Sequence, residues 1–388
     1  MARSVFVWMI VCALSFSLSA CAGGKNAHVL VSATATSFAD SRVAGRHSIF
    51  VATTRAAASN KAEVYGGNRS EELGLVRVDV TVPLTHVKGA LERPKRGKID
   101  PAKTFAATSI TAYDQSSFEQ ALRADIARRG GRALVFIHGF NTRFDDSVYR
   151  MTQLVHDAGY SGTPILFSWA SAGRITDYVY DTNSATAARD RLEMTLRIVE
   201  RAGAKRIDII AHSMGNWVTM EALRQLAITG DHDLHGKLGD VLLASPDIDV
   251  DVFKSQMRRY GTPKRPFVVM LSGDDRALQI SSIIAGNRPR VGDYSDAQEL
   301  AALGVIVINL SNVKSGDRLN HSKFTDNPVI VDLLGDSLRR GDQLSVDNAQ
   351  LTDRVSQLTT GIGGAVTSAV DIIITTPLRV VTVVVGGE

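Results

Sequence analysis

Six short apolar runs recur through the middle of the chain: Ala133–Ile137, Ile165–Phe167, Ile207–Ile210, Val241–Leu243, Phe267–Leu271 and Val305–Leu310. Continuous runs of this length are the signature of strands buried on both faces. Between them lie stretches of helical period, such as Ala185–Arg201 and Asn216–Leu226. The alternation predicts repeated strand–helix units that build a mostly parallel sheet with helices on both faces. Ahead of this region, Ser48–Thr53 and Leu75–Val82 read as strands with no helix between them, and Phe118–Arg129 has helical period. The sheet therefore begins with antiparallel strands.

The two ends of the chain are patterned differently. Residues 1–20 carry Arg3, an apolar stretch from Val5 to Leu18, and then small residues before Cys21. That stretch is shorter than the ~20 residues that span a bilayer, so it reads as a cleaved signal segment. Leu18-Ser19-Ala20-Cys21 resembles the bacterial lipobox, in which the cysteine is diacylated and becomes the mature N-terminus. On this reading residues 21–45, rich in Ala, Ser, Gly and Thr, tether an anchored lipid to a domain spanning 46–340. With Ala22 rather than aspartate after the cysteine, the expected location is the outer membrane, facing the periplasm. In the tail, 341–388, apolar segments are interrupted by Gly361, Gly363, Gly364, Asp371, Pro377 and Arg379. It is expected to be amphipathic or surface-docked, or to pack on the domain, rather than to cross a membrane.

Composition narrows the classes of function. The 44 basic and 40 acidic residues are mixed without long single-sign runs, which gives no support for nucleic-acid binding. Cys12 and Cys21 are the two cysteines, so a mature domain holds no internal disulfide, cysteine nucleophile or cysteine-bound metal. No clustered His/Asp ligand motif or Gly-rich phosphate loop stands out, and no metal or cofactor is expected.

The run Ile207–Ile210 passes through Ala211-His212-Ser213-Met214-Gly215 into a helical pattern. A sharp strand-to-helix turn projects a serine hydroxyl clear of a sheet, and small residues two before and two after it leave the turn room. Leu134–Ile137 runs into His138-Gly139-Phe140-Asn141. In the α/β-hydrolase fold, the amide after the nucleophile and one from the loop after the third strand stabilise an oxyanion. Those would be the amides of Met214 and Phe140. His138 is expected to satisfy loop backbone, and His212 to face away from the reacting groups.

The acid and the base of this fold follow the serine in that order, at the C-terminal ends of later strands. His321 follows the last apolar run, whereas His232 and His235 sit in a polar loop. Asp275 follows Phe267–Leu271 and leads as the acid, with Asp274 next and with Asp247 and Asp249 after the preceding run also open. The expected triad is Ser213, Asp275 and His321. The expected substrate is a small-molecule or lipid ester.

Several segments in fixed order carry a family resemblance: Val51-Ala52-Thr53-Thr54-Arg55, Phe136–Asn141 with Phe144-Asp145-Asp146, Leu166–Gly173, Ala211–Asn216, Ser245–Asp249 and Asp275–Leu278. Across residues ~47–338 the chain resembles a bacterial family of esterase- and lipase-like α/β-hydrolases of unassigned function. One departure is Ala170, where that family more often has proline after the tryptophan. The resemblance implies the α/β-hydrolase fold and a serine mechanism. A binding or scaffold protein tethered to the envelope, with a silent hydrolase fold, is the alternative.

Overall fold

The computed structural model describes Leu30 and residues 43–94, 99–340 and 370–385. The expected signal segment, Cys21 and nearly all of the tether lie outside the described residues. Eleven strands are described: β1 (Val43–Ala57), β2 (Tyr65–Pro83), β3 (Ala106–Tyr113), β4 (Arg132–Ile137), β5 (Thr163–Ser168), β6 (Arg206–His212), β7 (Leu238–Ala244), β8 (Val268–Leu271), β9 (Ile306–Asn309), β10 (Val370–Thr375) and β11 (Val380–Val385). The helices are α1 (Gln115–Arg128), α2 (Phe144–Asp157), α3 (Tyr178–Arg201), α4 (Gly215–Ile228), α5 (Val250–Tyr260), α6 (Arg276–Ile284), α7 (Ala297–Ala301), α8 (Lys323–Asp326) and α9 (Pro328–Arg340).

One sheet holds every strand, in the order β11-β10-β9-β8-β7-β6-β4-β5-β1-β2-β3. From β1 to β9 all neighbours are parallel, whereas β1–β2–β3 run antiparallel as their missing crossover helices require. Alternate residues of each central strand feed opposite cores. Ala133, Val135 and Ile137 of β4 face the layer that holds Leu192 of α3, Val218 of α4 and Phe253 of α5. Leu134 and Phe136 face Met151 of α2 and Ile330 of α9. This is the α/β-hydrolase fold, a mostly parallel sheet with helices on both faces and antiparallel strands at its N-terminal side.

Two features depart from the sequence reading. Strand β3 carries no apolar run, since Ala106–Tyr113 is rich in small and polar residues; it pairs Leu75–Thr81 of β2 at the sheet's edge. In the tail, Ile373–Thr375 pairs antiparallel with Val307–Asn309 of β9, and β10 folds back on β11 around Pro377 and Leu378. The sheet thus continues past residue 340. The β-branched runs Ile372-Ile373-Ile374 and Val380-Val381 suit a pleated edge, and Pro377 supplies the break between them. No described helix is long and apolar enough to cross a membrane.

Candidate active site

Strand β6 buries Ile207, Ile209, Ile210 and Ala211 and delivers the chain to Ser213, whose φ is +54°. A non-glycine residue in this left-handed conformation costs on the order of 1–3 kcal/mol and persists when its surroundings fix it. Here the Ser213 amide donates to the Ala244 carbonyl (3.0 Å), and its carbonyl accepts from Asp247 N (3.2 Å) and Asn216 Nδ2 (2.9 Å). Bulk is excluded on both sides. A Cβ on Gly215 would stand 2.4 Å from the His138 carbonyl oxygen, and one on Gly139 would stand 2.7 Å from Ser213 Cβ. The small residues of the motif therefore reflect close backbone approach.

Asp275 follows β8 and opens α6. Its Oδ1 accepts from the amides of Ala277 (3.0 Å) and Leu278 (3.1 Å), capping the helix, and its Oδ2 lies 2.7 Å from His321 Nδ1. The carboxylate is fully buried. Burial, the largest influence on His321, pulls its pKa down. The hydrogen bond and charge of Asp275, with the charges of Asp247 and Asp317, outweigh it and leave the imidazole above its ordinary value. Such a pair fixes the tautomer with hydrogen on Nδ1 and leaves Nε2 as the acceptor.

The other carboxylates are engaged elsewhere. Asp274 accepts from Lys323 Nζ (2.6 Å), Ser272 Oγ (2.5 Å) and Asn320 Nδ2 (3.0 Å). Asp247 is held by Tyr178 Oη (3.0 Å), Ser281 Oγ (2.5 Å) and an ion pair with Arg290 (3.4 Å). Asp249 caps α5. His232 bonds the Tyr260 carbonyl and His235 pairs with Glu200, both beyond the far end of α4.

The loop of His321 is tied from several directions. Asp317 accepts the amides of Leu319, His321 and Ser322. The buried Lys323 donates to the Leu310 and Ser311 carbonyls as well as to Ser272 and Asp274, joining the segment after β9 to the one after β8. His212 does not face away as expected. Its ring packs on that of His321 (centroids 4.6 Å apart), and its Nε2 donates to the His321 carbonyl (3.1 Å). Burial, followed by the charge of His321, holds its pKa well below the ordinary value, so it serves as a neutral donor. The turn reverses the chain right after His212, which leaves that side chain on the rim of the sheet beside the last loops.

His138 Nδ1 bonds the Gly139 carbonyl (2.9 Å), its ring stacks on Trp169, and Trp169 Nε1 donates to the His138 carbonyl (2.8 Å). Burial, with the nearby Arg55 charge, pushes its pKa down to about 3, so it stays neutral. Arg55, itself buried, donates to Ser168 Oγ and to the carbonyls of Gly66, Ser171 and Thr142. Asp181 accepts from Ser171 Oγ and the amides of Ala172 and Asn141. The loop after β4 is thereby fixed, and the Phe140 ring meets that of Tyr178 at 5.2 Å. Among the described residues, the amides of Phe140 and Met214 donate to no protein acceptor, and the Ser213 hydroxyl forms no hydrogen bond.

Arg55, Asp181, Asp317 and Lys323 were not singled out by their own chemistry in the sequence. Arg55 carries a local signal, a cation closing an apolar strand, whereas Lys323 sits in a polar stretch like any surface lysine. Among the described residues, one group could hold a cation: Glu200, Asp231 and His235 bring ligand-type atoms within 4.8 Å of one another. Lys237 and Arg197 already pair with its carboxylates.

The model of a family described as alpha/beta hydrolase of unknown function (DUF900) matches residues 114–337. No curated protein matches the chain. Among solved structures it is similar to Aspergillus fumigatus lipase B, at 13% identity and a TM-score of 0.37 over 61% of this chain and 60% of that one. It is also similar to a hyperthermophilic esterase from the archaeon Pyrobaculum calidifontis, at 10% identity and a TM-score of 0.33 over 77% of this chain and 84% of that one. A match to fungal esterases from Rhizomucor miehei has 10% identity and a TM-score of 0.35 over 77% and 85%. The family match covers more than half of the 388 residues and lies on a sheet of the corresponding architecture; the chain belongs to the α/β-hydrolase family of unknown function.

Proposed function

We propose that the protein is a serine hydrolase that cleaves carboxylic esters through an acyl-Ser213 intermediate. The observation that carries this reading is the 2.7 Å contact of His321 Nδ1 with the buried carboxylate of Asp275, beside the loop that His212 holds next to Ser213. Ser213 Oγ attacks the ester carbonyl while its proton passes to His321 Nε2, and Asp275 stabilises the imidazolium. The oxyanion accepts from the amides of Phe140 and Met214, which suits donors that have no protein acceptor. Collapse expels the alcohol, which takes the proton from His321. Water, deprotonated by His321, then releases the acid and restores Ser213.

Replacing Ser213 by alanine is expected to abolish short-chain ester cleavage and fluorophosphonate labelling together. Normal labelling of that variant overturns the assignment of the nucleophile. A folded protein with no Ser213-dependent turnover over a panel of acyl esters supports a tethered binding role instead. From Leu18-Ser19-Ala20-Cys21 we also propose export and lipidation at Cys21, with anchorage in the outer membrane. Two or more acyl chains give stable attachment where one is marginal. Cys21→Ser is expected to prevent incorporation of labelled palmitate, and a wild-type protein that incorporates none overturns the anchor.

A further inference from the structure

Large apolar side chains left in water are ordinary when scattered and informative when gathered. Six of the twelve exposed large hydrophobics among the described residues lie on three segments that meet at the candidate active site: Ile175, Val179, Ile280, Ile283, Ile284 and Leu319. Ile175 and Val179 flank Tyr178, whose ring touches Phe140 and whose hydroxyl bonds Ser281 Oγ at 2.7 Å. On α6 the spacing of Ile280, Ile283 and Ile284 puts them on one outward face, while Leu278 and Ser281 are buried beneath. Leu319 joins them through its carbonyl, which accepts from Arg276 N at the start of α6 (2.9 Å). Ile283 is 67% exposed and Val179 66%.

The charges on the same segments have one sign left over. Arg276, Arg288 and Arg318 are exposed, and among the described residues none of their side chains has an ion pair or hydrogen bond. Two carboxylates there are paired, Asp177 with Arg174 and Asp274 with Lys323; Asp317, held by three backbone amides, keeps its charge and leaves the three guanidinium groups in excess. An apolar face rimmed by free guanidinium groups complements a surface that is oily inside and anionic outside.

We infer that this face docks on an anionic lipid bilayer, with the isoleucines of α6 entering the acyl boundary and Arg288 and Arg318 meeting lipid phosphates. The site of Ser213 then opens toward the membrane surface, independently of any lipid on Cys21. The docking does not rest on the ester-hydrolase reading, since it is read as binding.

The experiment uses the full chain carrying Cys21→Ser, so that no acyl chain is attached there, and measures sedimentation with vesicles. The vesicles are phosphatidylcholine alone or with one-third phosphatidylglycerol. The apolar first twenty residues are common to all proteins compared, so the differences between them report this face. Ile283→Ser with Ile284→Ser is expected to lower partition onto the anionic vesicles ~10-fold. Arg288→Gln with Arg318→Gln is expected to lower it ~25-fold, about fivefold per arginine, and to remove most of its salt dependence. Thermal melting shows whether each variant is folded, as substitutions at exposed positions should leave it. Equal partition of the parent and both folded variants overturns the proposal. So does equal binding of the parent to neutral and anionic vesicles. If the parent instead ignores vesicles and sediments as a dimer that the isoleucine variant loses, the face belongs to a second copy and the lipid proposal fails.

Discussion

Asp275→Asn separates the chemistry of the site from its fold. In the native protein, one oxygen of Asp275 accepts two amides at the start of α6 while the other accepts the His321 Nδ1 hydrogen. Asparagine serves as well as aspartate at a helix N-cap, so its single oxygen is best used on Ala277 and Leu278. Its NH₂ group then faces His321 Nδ1, which must become the acceptor, and the ring carries its hydrogen on Nε2. That tautomer cannot take the Ser213 proton. The precedent for an amide in this position is a loss on the order of 10⁴ in turnover. Loss of the carboxylate also removes the strongest influence raising the His321 pKa, so on the proposed mechanism the acid limb of kcat/KM is expected to move to lower pH. Stability should change by less than about 1 kcal/mol, because both cap bonds survive. The assays are p-nitrophenyl ester hydrolysis across pH and urea unfolding monitored by circular dichroism. Residual activity within tenfold of wild type, or a larger loss in Asp274→Asn, would refute Asp275 as the acid. Asp274 is bound to Lys323 and Asn320, and its amide variant should lose little turnover.

Gly215→Ala places a methyl group 2.4 Å from the His138 carbonyl oxygen and 2.7 Å from that of Ile137, forcing α4 away from β4. A loss of about 1–3 kcal/mol in urea unfolding is expected, together with slower fluorophosphonate labelling. Lys323→Met removes the buried donor to the Leu310 and Ser311 carbonyls and Ser272 Oγ, and with it one of the ties between the Asp275 and His321 segments. It should cost on the order of 3 kcal/mol and reduce turnover in excess of the unfolded fraction, which single-turnover kinetics at low temperature can measure. His47 is held neutral, its pKa lowered to about 4 by burial and then by its neighbours His156 and Arg129. The folded state therefore binds fewer protons than the unfolded one between pH 6.5 and about 4, and stability is lost as pH falls through that window. For His86, burial is the largest single influence and lowers the pKa, but Asp157 and Glu92 together outweigh it and raise it; His86 therefore acts in the opposite sense and loses its contribution as pH rises through its folded pKa. Thermal melts should show His47→Gln losing less stability than wild type between pH 7 and pH 5.

The central sheet was legible because strands buried on both faces are written as unbroken apolar runs, and each of the six runs coincides with one of β4 to β9. The serine turn was legible for a related reason: its geometry depends on which atoms are missing at Gly139, Ala211 and Gly215, and missing atoms are visible in a sequence. Asp275 was separable from Asp274 only by position. What distinguishes them in the structure is that consecutive side chains leave the backbone in different directions, one toward His321 and one toward Lys323. No one-dimensional pattern encodes that for a loop. The edge strands were harder still. β3 has one face on the core and little apolar content, and the β10–β11 hairpin finds its partner in β9 across more than sixty residues. Arg55 illustrates the same limit, since its acceptors come from three segments distant in sequence.

The buried polar residues beneath the site share a logic that burial energetics alone does not supply. A guanidinium or ammonium group removed from water is costly, and well-packed apolar side chains of similar volume are often at least as stabilising. Yet Arg55, Lys323 and Asn216 are all buried, and each bonds at least two backbone carbonyls of the segments that carry the chemistry. Arg55 fixes the loop after β4, Asn216 closes the turn at Ser213, and Lys323 joins the segments of Asp275 and His321. An apolar side chain could fill each volume but could not define the direction of a carbonyl, and the direction of the carbonyl sets where the neighbouring amide points. On the proposed mechanism, oxyanion donors act only when they are fixed within a few tenths of an ångström before the reaction begins, so the desolvation cost would be repaid in geometry rather than in stability. The same reasoning explains why the strained φ of Ser213 is tolerated. Ala244, Asp247 and Asn216 converge on its backbone from three directions, so the relaxed conformation would break more hydrogen bonds than the strain is worth.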